Sequence, residues 1–332
     1  MKRNVIVIVL MALLISGATE LMAQNFNFIG AGARARGMGG AFIGVADDAT
    51  AISWNPAGLA TLERMEGSAV GFFASRKSTL EIELGNQSES ASFTQNHPAF
   101  NFGSLAVPLV ASGRNLVIAG AYQRLIDLYY KYESEYDSTV TEYTGGIDVI
   151  SPGAAIQFTP EIAVGASFNI WTGGQDYKFE DKNNSNNNMD EKNINKFSGF
   201  NVNIGVLAHK NQFKAGAVMK TPLTLTNKYK SGTKEIKDKY KFPLTFGFGV
   251  SVAPNENLTL AADVDIRQYS KTEYEYDVED TTVSAEFENT TQIRVGMEYL
   301  VITESSIFPI RLGWHSEPYI ENPLEALNPS TD

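Results

Sequence analysis

From residue 66 onward, apolar side chains recur at every second position in one block after another. Ile162, Val164, Ala166, Phe168 and Ile170 alternate with Ala163, Gly165, Ser167 and Asn169. Phe200, Val202, Ile204 and Val206 alternate with Asn201, Asn203 and Gly205, and residues 242–252 keep the same rhythm. Leu258, Leu260, Ala262, Val264 and Ile266 oppose Thr259, Ala261, Asp263 and Asp265; Ile293, Val295, Met297 and Tyr299 oppose Arg294, Gly296 and Glu298. Successive side chains of a strand point to opposite faces, so each block has one greasy face and one small or polar face. A soluble sandwich alternates in the same way. Three features favour a membrane barrel instead. The blocks run nine to eleven residues, enough to cross a bilayer when tilted. The second face is rich in Gly, Asn, Ser, Thr and Asp, which suits a wet lumen. The connections alternate strictly between short and long.

Short links fall at 159–161, 209–212, 254–257 and 303–306, and long polar stretches at 172–196, 221–241 and 268–290. Outer-membrane barrels have short periplasmic turns and long outward loops. Seven asparagines lie between 181 and 195, so that stretch is expected to be a solvated, mobile loop. Trp171, Tyr177, Tyr229, Tyr269, Tyr274 and Trp314 gather at the loop-side ends, where an aromatic girdle is expected. About thirteen strands can be placed, those near 78–84 and 128–140 being weak. The last runs outward to Gly313-Trp314-His315 and is followed by the loop-like ENPLEALNPSTD. Bacterial barrels close on an even number, so at least one closing strand is expected to be missing.

The first residues set the compartment. Met1-Lys2-Arg3-Asn4 is basic, Val5 to Ile15 is uninterruptedly apolar, and small residues follow to Ala23. This reads as a secretory leader over 1–23 cleaved after Ala23, with Ala18 as the alternative, because so short an apolar run does not span a bilayer. With no cysteine, neither disulfides nor thiolate metal sites are available. A net charge of −11 disfavours nucleic acid as a partner.

Between leader and strands lies GAGARARGMGGAFIGVADDATAISWNPAGL, residues 30–59. A segment so rich in Gly and Ala lacks the bulk for a core of its own and must pack inside something larger. Asp47 or Asp48 can cap a short helix over 49–53, and Pro56 forces Asn55 out of helical geometry. Gly39-Gly40-Ala41, then Asp47-Asp48-Ala49-Thr50, then Trp54-Asn55-Pro56-Ala57 resemble the plug motif of the FadL-type outer-membrane transporter superfamily; weaker similarity extends through ISPGAAIQFTPEIAVGASF and FPIRLGW. The resemblance implies an all-β fold: a transmembrane antiparallel barrel of about fourteen strands over 66–332, its lumen blocked by a helical plug over 24–65. It implies passive passage of hydrophobic compounds such as long-chain fatty acids or hydrocarbons, with a greasy outer groove, a lumenal pocket and sideways release. The wording Arg34-Gly37-Met38-Gly39-Gly40 is also similar to PorV-like barrels, which anchor or shuttle proteins in secretion.

No enzyme chemistry stands out. Gly30-Ala31-Gly32 fails as a dinucleotide loop because Ala35 occupies the required glycine position. His97, His209 and His315 have neither metal-ligand spacing nor a serine partner on a strand face. Two adjacent carboxylates, Asp47 and Asp48, are a poor calcium site. No cofactor is expected. The expected gating residues are Phe42, Trp54, Asn55, Pro56 and Ala57, with Gly39, Gly40, Asp47 and Asp48 around them and Trp171 and Trp314 as outer entry contacts. A purely structural cap is the alternative role for Asn55-Pro56-Ala57. Expected partners are hydrophobic small molecules and outer-membrane lipid, with lysines 228, 230, 234, 237 and 239 a basic patch that could meet lipopolysaccharide.

Overall fold

The computed structural model describes residues 30–318 apart from 85–86, 135–137, 279 and 286. The expected leader and residues 319–332 lie outside the described residues. Among the described residues, sixteen strands join one antiparallel sheet. In chain order these are β1 (Glu66–Leu84), β2 (Gln87–Ala111), β3 (Arg114–Asp127), β4 (Tyr130–Ser134), β5 (Thr139–Gln157), β6 (Ile162–Asp181), β7 (Met189–Lys210) and β8 (Phe213–Lys220). Then come β9 (Leu223–Ser231), β10 (Lys234–Phe242), β11 (Thr245–Asn255), β12 (Leu258–Arg267), β13 (Glu273–Tyr276), β14 (Thr281–Ser284), β15 (Thr290–Ile302) and β16 (Ile307–His315). Eleven of them follow one another in a continuous path, from which β4, β9, β10, β13 and β14 branch on the long-loop side. Among the described residues, β1 and β16 end the path and pair on one side only.

Two strand expectations change. The stretch 78–84 is not separate: it continues β1, paired with β2 out to Leu84 and Gln87. Among its described residues the stretch 128–140 holds the short β4, which pairs with β2 and β5, and the first two residues of β5. The long polar stretches are mostly strand rather than loop. β6 runs to Asp181, a single 3-10 turn covers Ser185–Asn187, and β7 begins at Met189. Outside the bilayer both faces of a strand can meet water, so the alternation of hydrophobicity fades while the backbone ladder continues. Aromatic pairs help hold these extensions: Tyr130 stacks on Tyr143 at 4.4 Å, and Tyr143 meets Tyr177 at 5.2 Å. At the other end the turns are tight. Ser112 and Gly113 both take left-handed backbone, φ 50° and 74°, as a two-residue hairpin of matching twist requires.

The outward faces carry Ile118, Ile150, Phe168, Phe200, Val250 and Ile293, all exposed, an apolar surface that water would not tolerate over a whole wall. Facing inward are glycines, alanines and polar side chains, and against them lies the N-terminal segment. Every strand of the continuous path touches it. Glu66 of β1 accepts from Ala49 N–H, Ser104 of β2 donates to Ala49 O, and Asn115 of β3 donates to Ala60 O and Leu62 O. A turn at Pro56–Thr61 packs on β5, β6 and β7. Lys214 of β8, Ser251 of β11, Asp263 of β12 and Glu298 of β15 bond to it, and Gly313 of β16 lies against Gly39. The sheet therefore curls round residues 30–62 as a barrel round a plug. Met38, Phe42, Ile52 and Leu59 are fully buried there, and each such burial is worth about 1.5–3 kcal/mol.

Candidate functional site

The plug is built from short pieces because its sequence permits nothing longer. A helical turn spans Ala33–Gly37, another Ala51–Trp54, and Pro56 starts the 3-10 turn Pro56–Thr61. The helix begins at Ala51, its N-cap is Thr50, and neither Asp47 nor Asp48 caps it as expected. Asp48 Oδ1 accepts from the Thr50 N–H at 2.9 Å and from its hydroxyl, just ahead of a helix that is one turn long. Asp47 caps nothing: its carboxylate pairs with Arg34 and, at 2.9 Å, with Lys214. Asn55 joins three pieces of chain. Its Oδ1 accepts from Ala57 N–H, and its Nδ2 donates to Ile43 O within the plug and to Val206 O in the wall, both at 3.1 Å. The Asn55-Pro56-Ala57 turn fits because Gly165 and Gly205 face each other across β6 and β7 beneath it.

Lumenal charges fix the front of the plug. Asp263 Oδ2 accepts from the N–H groups of Phe42 and Ile43 at 2.6 and 2.7 Å. Beside it, Asp265 pairs with Arg267 and Arg294, and both guanidinium groups donate to Gln292. Arg294 lies over the Trp54 ring at 5.8 Å, closing on Gly40. Arg34 reaches Glu298 at 2.9 Å while its guanidinium covers Phe42, and Arg311 braces the same glutamate. Burial alone would raise the Asp47 pKa, but the charges of Arg34 and Lys214 outweigh it and hold the carboxyl below its ordinary 3.8. A depressed carboxylate stabilises the fold above its unfolded value and loses that contribution as pH falls through the folded one. The destabilisation caused by Asp47→Asn should therefore be constant above about pH 5 and shrink toward zero below 3.8. Thermal unfolding of both proteins in detergent across this range checks it.

On the loop side of the plug is a chamber of about 90 Å³, room for roughly six waters by the same measure. Gly30 and Ser53 of the plug form its floor. One side is an amide ladder across β5, β6 and β7: Ser151 donates to Asn169, Asn169 to Asn201, and Asn201 to Asn203. Lys220 of β8 also borders it. The apolar lining is Leu125, Val149, Trp171, Leu223, Phe242 and Tyr269, with Val149 and Trp171 next to the ladder on β5 and β6, and it is continuous with a buried apolar cluster that includes Phe197 and Phe287. Trp171 and Tyr269, expected in an outer girdle, thus turn inward. Trp171 donates its Nε1–H to Asn201 Oδ1 at 2.8 Å. Trp314 does the reverse: its neighbour Gly313 faces the plug, so the indole is on the outer surface, 58% exposed. The two tryptophans do not share a site. Among the described residues, no group of three or more His, Asp or Glu could hold a metal ion.

Three comparisons bear on this arrangement. The family model described as "Type IX secretion system membrane protein PorP/SprF" matches residues 148–314. No curated protein is similar enough to count as a relative. Among solved structures, the Ralstonia pickettii toluene transporter TbuX is 15% identical, with a TM-score of 0.57 over 88% of this chain and 87% of its own. The P. putida toluene transporter TodX is 13% identical, with a TM-score of 0.58 over 89% and 86%. The monoaromatic hydrocarbon channel CymD is 14% identical, with a TM-score of 0.53 over 90% and 86%. At such identities the likeness is one of fold alone.

Proposed function

We propose that this chain, which belongs to the PorP/SprF family of type IX secretion system membrane proteins, is an outer-membrane barrel that admits hydrophobic compounds from outside into the chamber above its plug. The observation that carries the reading is the chamber itself, walled by Trp171, Leu223, Phe242 and Tyr269 and floored by the plug. An apolar solute leaving the hydrated cell surface gains by burying itself against such a wall. Barrels of similar fold include a toluene transporter and a monoaromatic hydrocarbon channel, which supports small hydrophobic substrates. Long-chain fatty acids belong to the same class. Passage onward requires the plug to move, and Phe42, Trp54, Asn55, Pro56 and Ala57, with Gly39 and Gly40 against Arg294 and Trp314, are the residues that would release. No bond is made or broken.

The test compares uptake of labelled toluene and labelled oleate by cells carrying the protein, lacking it, or carrying Trp171→Ala. Loss of the indole removes apolar wall and a donor to Asn201, and uptake should fall at least threefold while barrel abundance is unchanged. Equal uptake by all three strains overturns the reading.

A second reading is favoured by the family match: a scaffold or shuttle in protein secretion. Here the plug stays seated and the outer surface receives a protein. It predicts that deletion alters the set of secreted proteins while hydrophobic uptake is unaffected, and that the barrel co-purifies with secretion components.

A further inference from the structure

The branch strands raise a row of lysines above the apolar wall. Lys196 of β7 is directly opposite Lys228 of β9, and Lys228 is directly opposite Lys237 of β10. One position nearer the tip on the same face, Lys230 faces Glu235. All four lysines are exposed. Like charges directly opposite on neighbouring strands destabilise the sheet, so three in one row is a costly arrangement. The same hairpin avoids that cost elsewhere: Lys239 pairs with Glu275, and Lys241 with Glu273 and Glu275. Lys237 has Glu235 at 3.2 Å and donates its backbone N–H to Asp277. Lys196, Lys228 and Lys230 make no ion pair with any described residue.

Their height identifies the counter-charge. Phe200, 65% exposed, lies four residues further along the same face of β7 and marks the upper end of the apolar band on that strand. Four residues of strand cover about 13 Å, or roughly 10 Å of height at the usual barrel tilt of about 40°. Ammonium groups at that height, on stems that extend toward or away from the band, reach the headgroups of the outer leaflet. We propose that Lys196, Lys228 and Lys230 form a binding surface for the phosphate groups of a phosphorylated glycolipid of that leaflet. The surface depends on the membrane placement of the barrel and not on what passes through it.

Purified lipopolysaccharide is the probe. The triple variant Lys196→Gln, Lys228→Gln, Lys230→Gln is compared with the wild type and with Lys178→Gln, Lys192→Gln, whose lysines already pair with Glu180, Asp176 and Asp190. Glycolipid phosphate retained per barrel after purification should fall at least threefold in the triple variant only, and 0.5 M salt should bring the wild type to the same level. Lipopolysaccharide should raise the unfolding temperature of the wild type and not of the triple variant. In detergent alone the triple variant should unfold no earlier than the wild type, because a row of like charges has been removed. Equal retention by wild type and triple variant, or an equal fall in the control, overturns the proposal. So does retention by a protein contaminant rather than by glycolipid.

Discussion

Replacing Asp263 by alanine should free the front of the plug while leaving the wall intact. The carboxylate accepts from two consecutive backbone N–H groups, those of Phe42 and Ile43, and both residues are buried. Each buried N–H left without its acceptor costs about 1–3 kcal/mol, so roughly 2–6 kcal/mol of plug attachment is lost. The wall strands β11 and β12 keep their own ladder across this position, where Gly249 faces residue 263. In planar bilayers the wild type should conduct little, and Asp263→Ala should show frequent large openings. Asp263→Asn, which keeps one acceptor oxygen without the charge, should lie between them. An unchanged conductance with an unchanged unfolding temperature would show that Asp263 does not hold the plug.

The second large effect is expected at Gly205. A Cβ built there falls 2.0 Å from Asn55 Oδ1, and Pro56 is close behind at 3.1 Å. Neither the rigid turn nor the β7 backbone can yield that much. Valine should therefore expel the Asn55-Pro56-Ala57 turn, with the loss of its bonds to Ile43 and Val206. Overpacking alone costs about 1–3 kcal/mol, and the two unmade hydrogen bonds add roughly 1 kcal/mol each. Protease sensitivity of the plug in otherwise folded, heat-modifiable barrels measures it. Alanine at the same place should give a weaker form of the defect, and Gly120→Ala, where nothing lies within 4 Å, should give none.

The wall was legible because a strand between lipid and lumen must alternate, and β6, β7, β11, β12 and β15 do. The branch strands were not, since Lys228, Lys237 and Tyr240 lie in sheet with water on at least one side and carry no greasy period. The plug motif could be read from its glycines and from Asn55-Pro56-Ala57, including the structural cap that Asn55 supplies to Ala57. What held the plug could not. Asp263, Arg294 and Glu298 are visible on the small-residue faces of their strands, but a lumenal charge looks the same in sequence whether it meets water or a partner more than 200 residues away. The signal available was their setting: charges amid Gly and Ala on the lumenal face, where water alone asks only for small polar groups. Trp171 was misplaced for a related reason. Girdle and chamber aromatics sit at the same end of a strand and differ only by which face they take.

The plug is fastened by two arcs of wall that lie far apart in the sequence. Its rear, residues 49–62, rests on β1 to β7, whereas its front, residues 34–44, is held by β11, β12, β15 and β16, with Phe42 and Asp263 separated by 221 positions. The front contacts close far longer loops than the rear ones and so carry the larger entropic cost of closure. A barrel in which only those distant bonds have let go should therefore be a leaky pore rather than an unfolded chain.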